Sequence, residues 1–368
     1  MLKLHVVQAE YGDCLILEYG QQASPRYILI DGGPTTTYER HLRGLLQQVG
    51  ASGGKLDLVM LSHVDNDHII GLLDLMAELR QQRANGEAEI IAIDALWHNA
   101  FSQTIGAGTD IEARLQAVMA MAGTRSMNLA NMAVQGIGEG HQLRLAATAL
   151  RIPINPGFVS GFVRLDDASD ALPFENLSLR VVGPTQENLD ELQHKWLEWL
   201  DKHEDAIASA DPFLMANADR SVPNLSSIMV LAEADDKTIL LTGDGRSDHL
   251  LQGLKQAGLL DSKGKMFVNV LKMPHHGSDR NMTKTFFKKV RADQYVFSAN
   301  GRDGNPDLAT LIWLVETANR QRREIEIVVT NKTISTRKLL EEYDPDAFGY
   351  KLTVMEAGAH SIVLTLAA

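Results

Sequence analysis

The sequence predicts an α/β protein built in layers, with two sheets enclosed by helices. Three observations carry this reading. Strand-like apolar runs alternate with segments of helical spacing along the whole chain. Hairpin signals occur in both halves, which adds antiparallel pairs to the βα units. No short-period repeat, low-complexity tract or Pro-, Gly- or Ser-rich linker divides the chain, so its 368 residues, 45% hydrophobic, are expected to form one domain, 1–368.

The elements follow in order. "LKLHVVQA", "CLILEYG" and "RYILIDGG" alternate or run apolar as three opening strands. "TTTYERHLRGLLQQVG" has apolar residues at helical spacing and ends on glycine, as helices do. "LDLVMLSH" reads as a buried strand, "DHIIGLLDLMAELRQQ" as an amphipathic helix, "AEIIAIDALWH" as a strand and "DIEARLQAVMAMAG" as a helix. "GEGHQL", with His141, reads as a Gly-rich turn. The second half repeats the alternation: strand "LSLRVVGP", then helix "TQENLDELQHKWLEWLDKH", in which Trp196 and Trp199 are expected to serve the core. A hairpin, "SSIMVLAEADDKTILLTGD", turns at Asp235-Asp236. Helix "RSDHLLQGLKQAGLL", strand "FVNVLKMPHHGS", helix "NMTKTFFKKV", strand "QYVFSAN", helix "DLATLIWLVETANRQ" and three closing strands complete the chain. Residues 209–223 show no period and are expected to be an active-site loop.

Composition narrows the function. Net charge is −12, with no long run of like charge, which argues against a broad basic face for coating nucleic acid. It leaves open an enzyme acting on a phosphodiester, because bound metals can supply local positive charge. The single cysteine, Cys14, excludes an intramolecular disulfide and a cysteine-rich zinc site, and lies in a strand-like run as a packed thiol. No apolar run approaches a membrane span, and polar residues interrupt the start too early for a signal peptide, so a cytoplasmic protein without a membrane partner is expected.

"LSHVDNDHII" places His63, Asp65, Asp67 and His68 between a buried strand and a helix. Imidazole and carboxylate are the usual non-sulfur ligands of divalent ions. The i, i+2 spacing sends His63 and Asp65 to one side, while Asp67 and His68 reach out from the turn, so one loop can serve two metals. Helix capping by Asp67 is the structural alternative; it accounts for one residue and leaves three unexplained. Further candidates stand at other strand ends. "KTILLTGDG" exposes Asp244 between two glycines, a pattern that a plain turn also gives. "VNVLKMPHHGSD" presents His275 and His276, which are hard to explain as packing. "YILIDGG" delivers Asp31, in a position that more often orients a ligand histidine than binds metal. His98, in "DALWHNAF", ends a strand and either lines the pocket or is packed.

"SHVDNDHIIG", "LLTGD" and "LKMPHHGS", in that order, resemble the metallo-β-lactamase superfamily of metal-dependent hydrolases, and within it the nuclease-like domain of the ComEC DNA-uptake protein and its soluble relatives. "QAEYGDC" is similar to that group's opening Gly-Asp turn, which contains Asp13, and "ILIDGG" to its second motif; a weaker echo occurs at "SANGRDGNPD". The resemblance implies a four-layer αββα sandwich with two divalent metal ions at one edge. His63 and Asp65 would hold the first ion, Asp67 and His68 the second, and Asp244 would bridge them. His276 is the favoured final ligand, with His275 contacting substrate or orienting the site. Lys272 and Ser278 lie inside the matched motif and join Asp13, Asp31, His98 and Asn224 as residues that touch substrate or support ligands.

Two departures from the common superfamily pattern matter. Asp65 stands where the loop usually has a second histidine, and Asn224 where a histidine usually precedes the late hairpin. Both replace nitrogen with oxygen, which shifts preference from Zn²⁺ towards Mn²⁺ or Mg²⁺. The ComEC-like group shows the same changes, although its late His-Pro is Asn305-Pro306 here. Two divalent cations against three carboxylates leave a net positive site able to generate a metal-bound hydroxide. The expected function is a dinuclear phosphodiesterase or nuclease, with Asp67, Asp244 and His275 as catalytic residues and nucleic acid or a small phosphodiester as substrate. The rivals are a hydrolase of lactones, thioesters or β-lactams on the same fold, and a binding or regulatory relative without turnover.

Overall fold

The computed structural model describes residues 1–99, 129–168, 170–202 and 226–366. The helix expected over 110–123, the loop 209–223 and Asn224 lie outside the described residues.

The chain opens as the sequence predicts. β1 (Leu2–Val7), β2 (Leu15–Gln21) and β3 (Ser24–Ile30) pair antiparallel. A π turn over Tyr38–Leu42 leads into α1 (Arg43–Ala51), and β4 (Leu56–Met60) returns parallel to β3. α2 (Asn66–Asn85) follows, ending at Gly86 in the left-handed conformation that glycine adopts at no steric cost. The strand expected over 88–98 is shorter: only β5 (Leu96–Trp97) forms, with one isolated bridge at Ile93. This segment is the sheet's edge, and its remaining contact with β4 is through single backbone bonds, such as the Asp94 N–H to the Leu56 carbonyl at 2.9 Å.

α3 (Leu129–Ala149) replaces the turn expected at "GEGHQL", so His141 lies inside a helix. Its C-terminal half buries Leu143, Ala146 and Ala147, and Leu150 just beyond it continues the same face, a spacing of 3, 4 and 7 that outweighs the propensity cost of its glycines. β6 (Leu172–Phe174), β7 (Leu177–Gly183), α4 (Gln186–Lys202), β8 (Met229–Ala234) and β9 (Lys237–Leu241) come next. The β8–β9 turn falls at Asp235-Asp236, both with positive φ, as a two-residue hairpin of right-handed twist demands. α5 (Ser247–Gln256), β10 (Met266–Lys272), α6 (Lys284–Lys289), β11 (Val290–Phe297), α7 (Leu308–Arg320) and β12 (Ile325–Val329) form a parallel βα series. Two helices that the sequence reading did not include, α8 (Ile334–Glu342) and α9 (Pro345–Phe348), precede the closing strands β13 (Tyr350–Val354) and β14 (Ser361–Leu366).

The strands make two sheets, one in the order β14-β1-β2-β3-β4-β5 and the other β13-β12-β11-β10-β9-β8-β7-β6. Leu4, Val6, Leu17, Ile28 and Leu58 of the first sheet meet Leu179, Val230, Ile239, Val270 and Val296 of the second in a shared interior. The opposite face of the first sheet packs on α1, α2 and α3 through residues such as Leu29, Val59, Leu72 and Leu143. That of the second packs on α5, α6 and α7 through Leu240, Leu271, Leu254, Phe286 and Leu314. The layers are therefore α, β, β, α. Each fully buried leucine or phenylalanine contributes about 1.5–3 kcal/mol of transfer free energy to this stack. Cys14 is buried among them, as a packed thiol. Among the described residues, no helix is long and apolar enough to cross a membrane.

Parallel pairing of β3 with β4, and of β9 with β10, β11 and β12, brings the C-terminal ends of these strands to one edge of the sandwich. Among the described residues, every chemistry-bearing stretch leaves the sheets there.

Candidate metal centre

Each strand end delivers one part of a buried polar cluster. Asp31 follows β3 and adopts φ 58°, which turns its carboxylate back under the next loop. One oxygen accepts from the Ser62 backbone N–H at 2.7 Å, and the other from Ser62 Oγ at 2.7 Å and from His68 Nδ1 at 2.8 Å. Those bonds leave His68 Nε2 facing away from Asp31 and into the cluster. Asp31 therefore orients a ring, as its place in the sequence suggests. Asp65 occupies the N-cap position of α2 without a side-chain capping bond, and Asp67 lies in the helix's first turn. The capping alternative fails at both carboxylates, which are turned to the cluster instead.

From the second sheet, Asp244 follows β9. Gly243 before it has φ 48°, and a methyl on it would meet Ser62 Cβ at 2.9 Å, so the two sheets' loops touch backbone to side chain at this point. The Asp244 N–H donates to Ser227 Oγ at 3.3 Å and its carbonyl accepts from Asn281 Nδ2 at 3.3 Å. After β10, His275 and His276 both take left-handed backbone angles, φ 46° and 53°. A left-handed conformation costs a non-glycine residue roughly 1–2 kcal/mol, and such strain concentrates at functional sites. Here the turn swings His276 inwards, where its Nδ1 donates to the Ser298 carbonyl at 2.9 Å, and leaves His275 at the solvent side, its side chain 28% exposed.

The result is a set of donors around Asp244. His276 Nε2 lies 3.3 Å from Asp67 Oδ2 and 3.5 Å from Asp244 Oδ2, and His68 Nε2 lies 3.4 Å from Asp244 Oδ1. Asp67, His68, Asp244 and His276 each offer an atom within 4.8 Å of the others. On the other flank, His63 Nε2 lies 3.5 Å from Asp65 Oδ2 and 3.8 Å from Asp244 Oδ2, and His275 Nε2 is also 3.8 Å from Asp244 Oδ2. Asp244 thus stands between two groups of donors, with His276 rather than His275 in the tighter one.

The separations in the tighter group fit a cation. Two donors each about 2.1 Å from one ion at a tetrahedral angle are roughly 3.4 Å apart. The Nε2 atoms of His63, His68 and His276 and the Oδ1 of Asp244 are buried and have no hydrogen-bond partner in the protein. Buried polar atoms are rarely left so, and several pointing at one place mark a ligand site. The electrostatics agree. Burial alone would raise the Asp244 carboxyl; the neighbouring His276, His68 and His275 outweigh it and hold Asp244 well below the usual carboxylate range. Burial would lower His68, but Asp244, Asp67 and Asp31 drive it well above an ordinary histidine. His276 behaves alike, through Asp244 and Asp13. These mutual shifts come from carboxylates and imidazoles crowded into one place, an arrangement that a divalent cation would suit.

The remaining sequence candidates divide. Asp13 and Lys272 are buried against each other, with Asp13 Oδ1 3.3 Å from His276 Nδ1. Ser278 closes the histidine turn through its N–H, which donates to the His275 carbonyl at 2.9 Å. His98 has two buried ring nitrogens without a hydrogen-bond partner in the protein. It is wholly buried, its backbone N–H donates to Asn155 Oδ1 at 2.8 Å, and burial and Arg144 lower its pKa to about 3. Ser62, Ser227, Asn281 and Ser298 support the cluster and carry no signal of their own in the sequence. Neither does Glu139 of α3, whose Oε2 is buried without a partner and whose pKa is pushed up to about 7 by burial and by Asp65. Its neighbour Gly140 packs on Val64 of the ligand loop, which explains the proximity.

A four-layer αββα sandwich thus carries, at its strand ends, a His/Asp cluster that could hold a metal ion. Residues 21–113 match the model of the metallo-beta-lactamase superfamily. No curated protein matches the sequence. Among solved structures, the chain is similar to the metallo-beta-lactamase fold protein YhfI from Bacillus subtilis (11% identity, 99% of each chain covered, TM-score 0.42). It is also similar to a metal-dependent hydrolase described as putative from Parabacteroides distasonis (9% identity, 89% of this chain and 93% of that one, TM-score 0.38). A third is CmlA, a diiron beta-hydroxylase from Streptomyces venezuelae (9% identity, 99% of this chain and 54% of that one, TM-score 0.40).

Proposed function

We propose that this protein is a metal-dependent phosphodiesterase of the ComEC-like nuclease group, using two divalent ions, and that Mn²⁺ or Mg²⁺ suits it better than Zn²⁺. The observation that carries the proposal is the convergence of three partnerless imidazole Nε2 atoms and an Asp244 oxygen on one buried place. His63 and Asp65 would hold one ion and Asp67, His68 and His276 the other, with Asp244 shared. When bound, such ions supply Lewis acidity at a phosphoryl oxygen and lower the pKa of water towards neutrality.

The chain's own residues do the rest. Asp31 fixes the His68 ring through Nδ1, and the Ser298 carbonyl fixes His276, so both rings are held before substrate arrives. Asp67 offers a carboxylate oxygen to the attacking water and orients its lone pair towards phosphorus. His275 reaches from the solvent side, and burial lowers its pKa below the ordinary value, which favours the neutral ring that can take a proton. Oxygen-rich ligation favours phosphate, whose attacking and leaving oxygens both need clamping. The net charge of −12 favours a small phosphodiester, or a short reach of single-stranded nucleic acid, over a long duplex.

The test assays metal-stripped protein with added Mn²⁺, Mg²⁺ or Zn²⁺ on bis-p-nitrophenyl phosphate and single-stranded DNA, against a lactone and nitrocefin. Metal-dependent phosphodiester cleavage, abolished in Asp244→Ala, is expected. Turnover of the lactone or nitrocefin alone would replace this reading with a hydrolase of carboxylic substrates.

A further inference from the structure

We propose that Asp13 and Lys272 act as one buried ion pair that positions His276, and thereby sets the affinity of the ion assigned to Asp67, His68, Asp244 and His276. The proposal rests on reading those four residues as a cation site.

Lys272 is the last residue of β10 and is 0% exposed; among the described residues no other lysine or arginine is buried. An ammonium in that position loses several kcal/mol of hydration unless it is fully partnered. Its Nζ contacts the Asp13 carboxylate, donates to the Gly243 carbonyl at 3.3 Å and lies 4.0 Å from Asp244 Oδ1. Being sealed from solvent, it cannot touch substrate. Asp13 is equally buried and joins Lys272 to the cluster, since its other oxygen lies 3.3 Å from His276 Nδ1. The same residue reaches the first sheet's loop, where its N–H donates to the Asp67 carbonyl at 3.1 Å. The carbonyl of Gly12, next to it, accepts from Ser298 Oγ at 2.6 Å, and the Ser298 carbonyl is the acceptor for His276. One turn therefore touches a donor loop from each sheet, and Lys272 fixes that turn. The charge count gives the pair a reason to persist: two divalent ions and one lysine balance the carboxylates of Asp13, Asp31, Asp65, Asp67 and Asp244.

Positioning and bare electrostatics predict opposite signs. If Lys272 acted only as a positive charge, removing it would tighten both ions. If it positions His276 through Asp13, removing it loosens one ion and spares the other. Full-length, metal-stripped protein is titrated with Mn²⁺ by calorimetry in four forms: wild type, Asp13→Asn, Lys272→Met and the double variant. Folding is checked by circular dichroism. One of the two Mn²⁺ affinities is expected to fall about 10–100-fold in each single variant, the range for loss of an outer partner of a ligand. The other affinity is expected to change by less than about threefold, and the double variant to lose no more than the worse single, because the pair acts as a unit. Tighter binding, an equal loss of both ions, or losses that multiply in the double variant would overturn the proposal. Should Lys272→Met not fold, the isosteric Asp13→Asn decides alone. Wild-type protein that takes up no Mn²⁺ would instead overturn the reading of the cluster as a cation site.

Discussion

Gly12→Ala moves a candidate metal ligand without touching its side chain. A methyl on Gly12 would lie 1.9 Å from the carbonyl oxygen of Asp67 and 2.8 Å from Pro34 Cδ. Real Cβ–oxygen contacts are not seen below 3.0 Å, so one backbone must retreat by the difference, about 1.1 Å. The obstacle is backbone, which has no rotamer to escape into. Pro34 closes the other direction. The Asp13 N–H bond to the same carbonyl, 3.1 Å long, is stretched as well. A displacement of about 1 Å in a reacting constellation costs about 100-fold in rate, and overpacking a tight site costs about 1–3 kcal/mol of stability. The assay is Mn²⁺ calorimetry with chemical denaturation, alongside Gly44→Ala as control. Gly44 lies in α1 with open space where its Cβ would be, so alanine there is expected to stabilise by about 0.5–1 kcal/mol and leave metal binding alone. Gly12→Ala protein with wild-type stability and wild-type Mn²⁺ affinity would refute the packing argument.

Other expectations concern stability. Tyr19 is buried and donates to Asp57 Oδ2 at 2.5 Å, far along the first sheet from the cluster, so Tyr19→Phe should cost about 1.5–3 kcal/mol by denaturation with Mn²⁺ affinity unchanged. His98 has a folded pKa of about 3 against an ordinary 6.5, so below pH 6.5 the unfolded chain takes a proton that the folded one refuses. Stability should therefore fall as pH drops through 6.5 towards 3. Denaturation of His98→Leu at several pH values should remove up to about 1.4 kcal/mol per pH unit from that slope. Ions that bind only the folded chain stabilise it by about 2.7 kcal/mol per site at 100 times the dissociation constant, so chelation should lower the melting temperature and added Mn²⁺ restore it.

The parts of the fold that were legible in the sequence are those whose period is unbroken. β1 to β4, α2, the Asp235-Asp236 hairpin and the βα series from β10 to β12 follow from spacing alone. α3 was not legible, because Gly138 and Gly140 read as a turn, and the packing of Leu143 and Ala147 against the first sheet overrides them. The strand read through "AEIIAIDALWH" was overlong, since an apolar run does not reveal that it lies at a sheet's edge. α8 was hidden because its capping box pairs Thr333 with Thr336, where the recognisable pattern has Glu or Gln. In the cluster, the ligand candidates were visible because they crowd into short loops. Their supports were not: Ser298 Oγ reaches Gly12 across 286 positions of sequence, and Glu139 approaches Asp65 from a helix the pattern did not predict. Contacts of that range depend on the tertiary fold.

The most direct test counts ions against turnover. Metal-stripped protein receives Mn²⁺ in stoichiometric steps, and bound metal and hydrolysis of bis-p-nitrophenyl phosphate are measured on each sample. Two ions per chain are predicted, with activity rising to a plateau at the second, and with both lost in Asp244→Ala. Binding of no ion, or a full complement of ions without phosphodiester hydrolysis, would contradict the account.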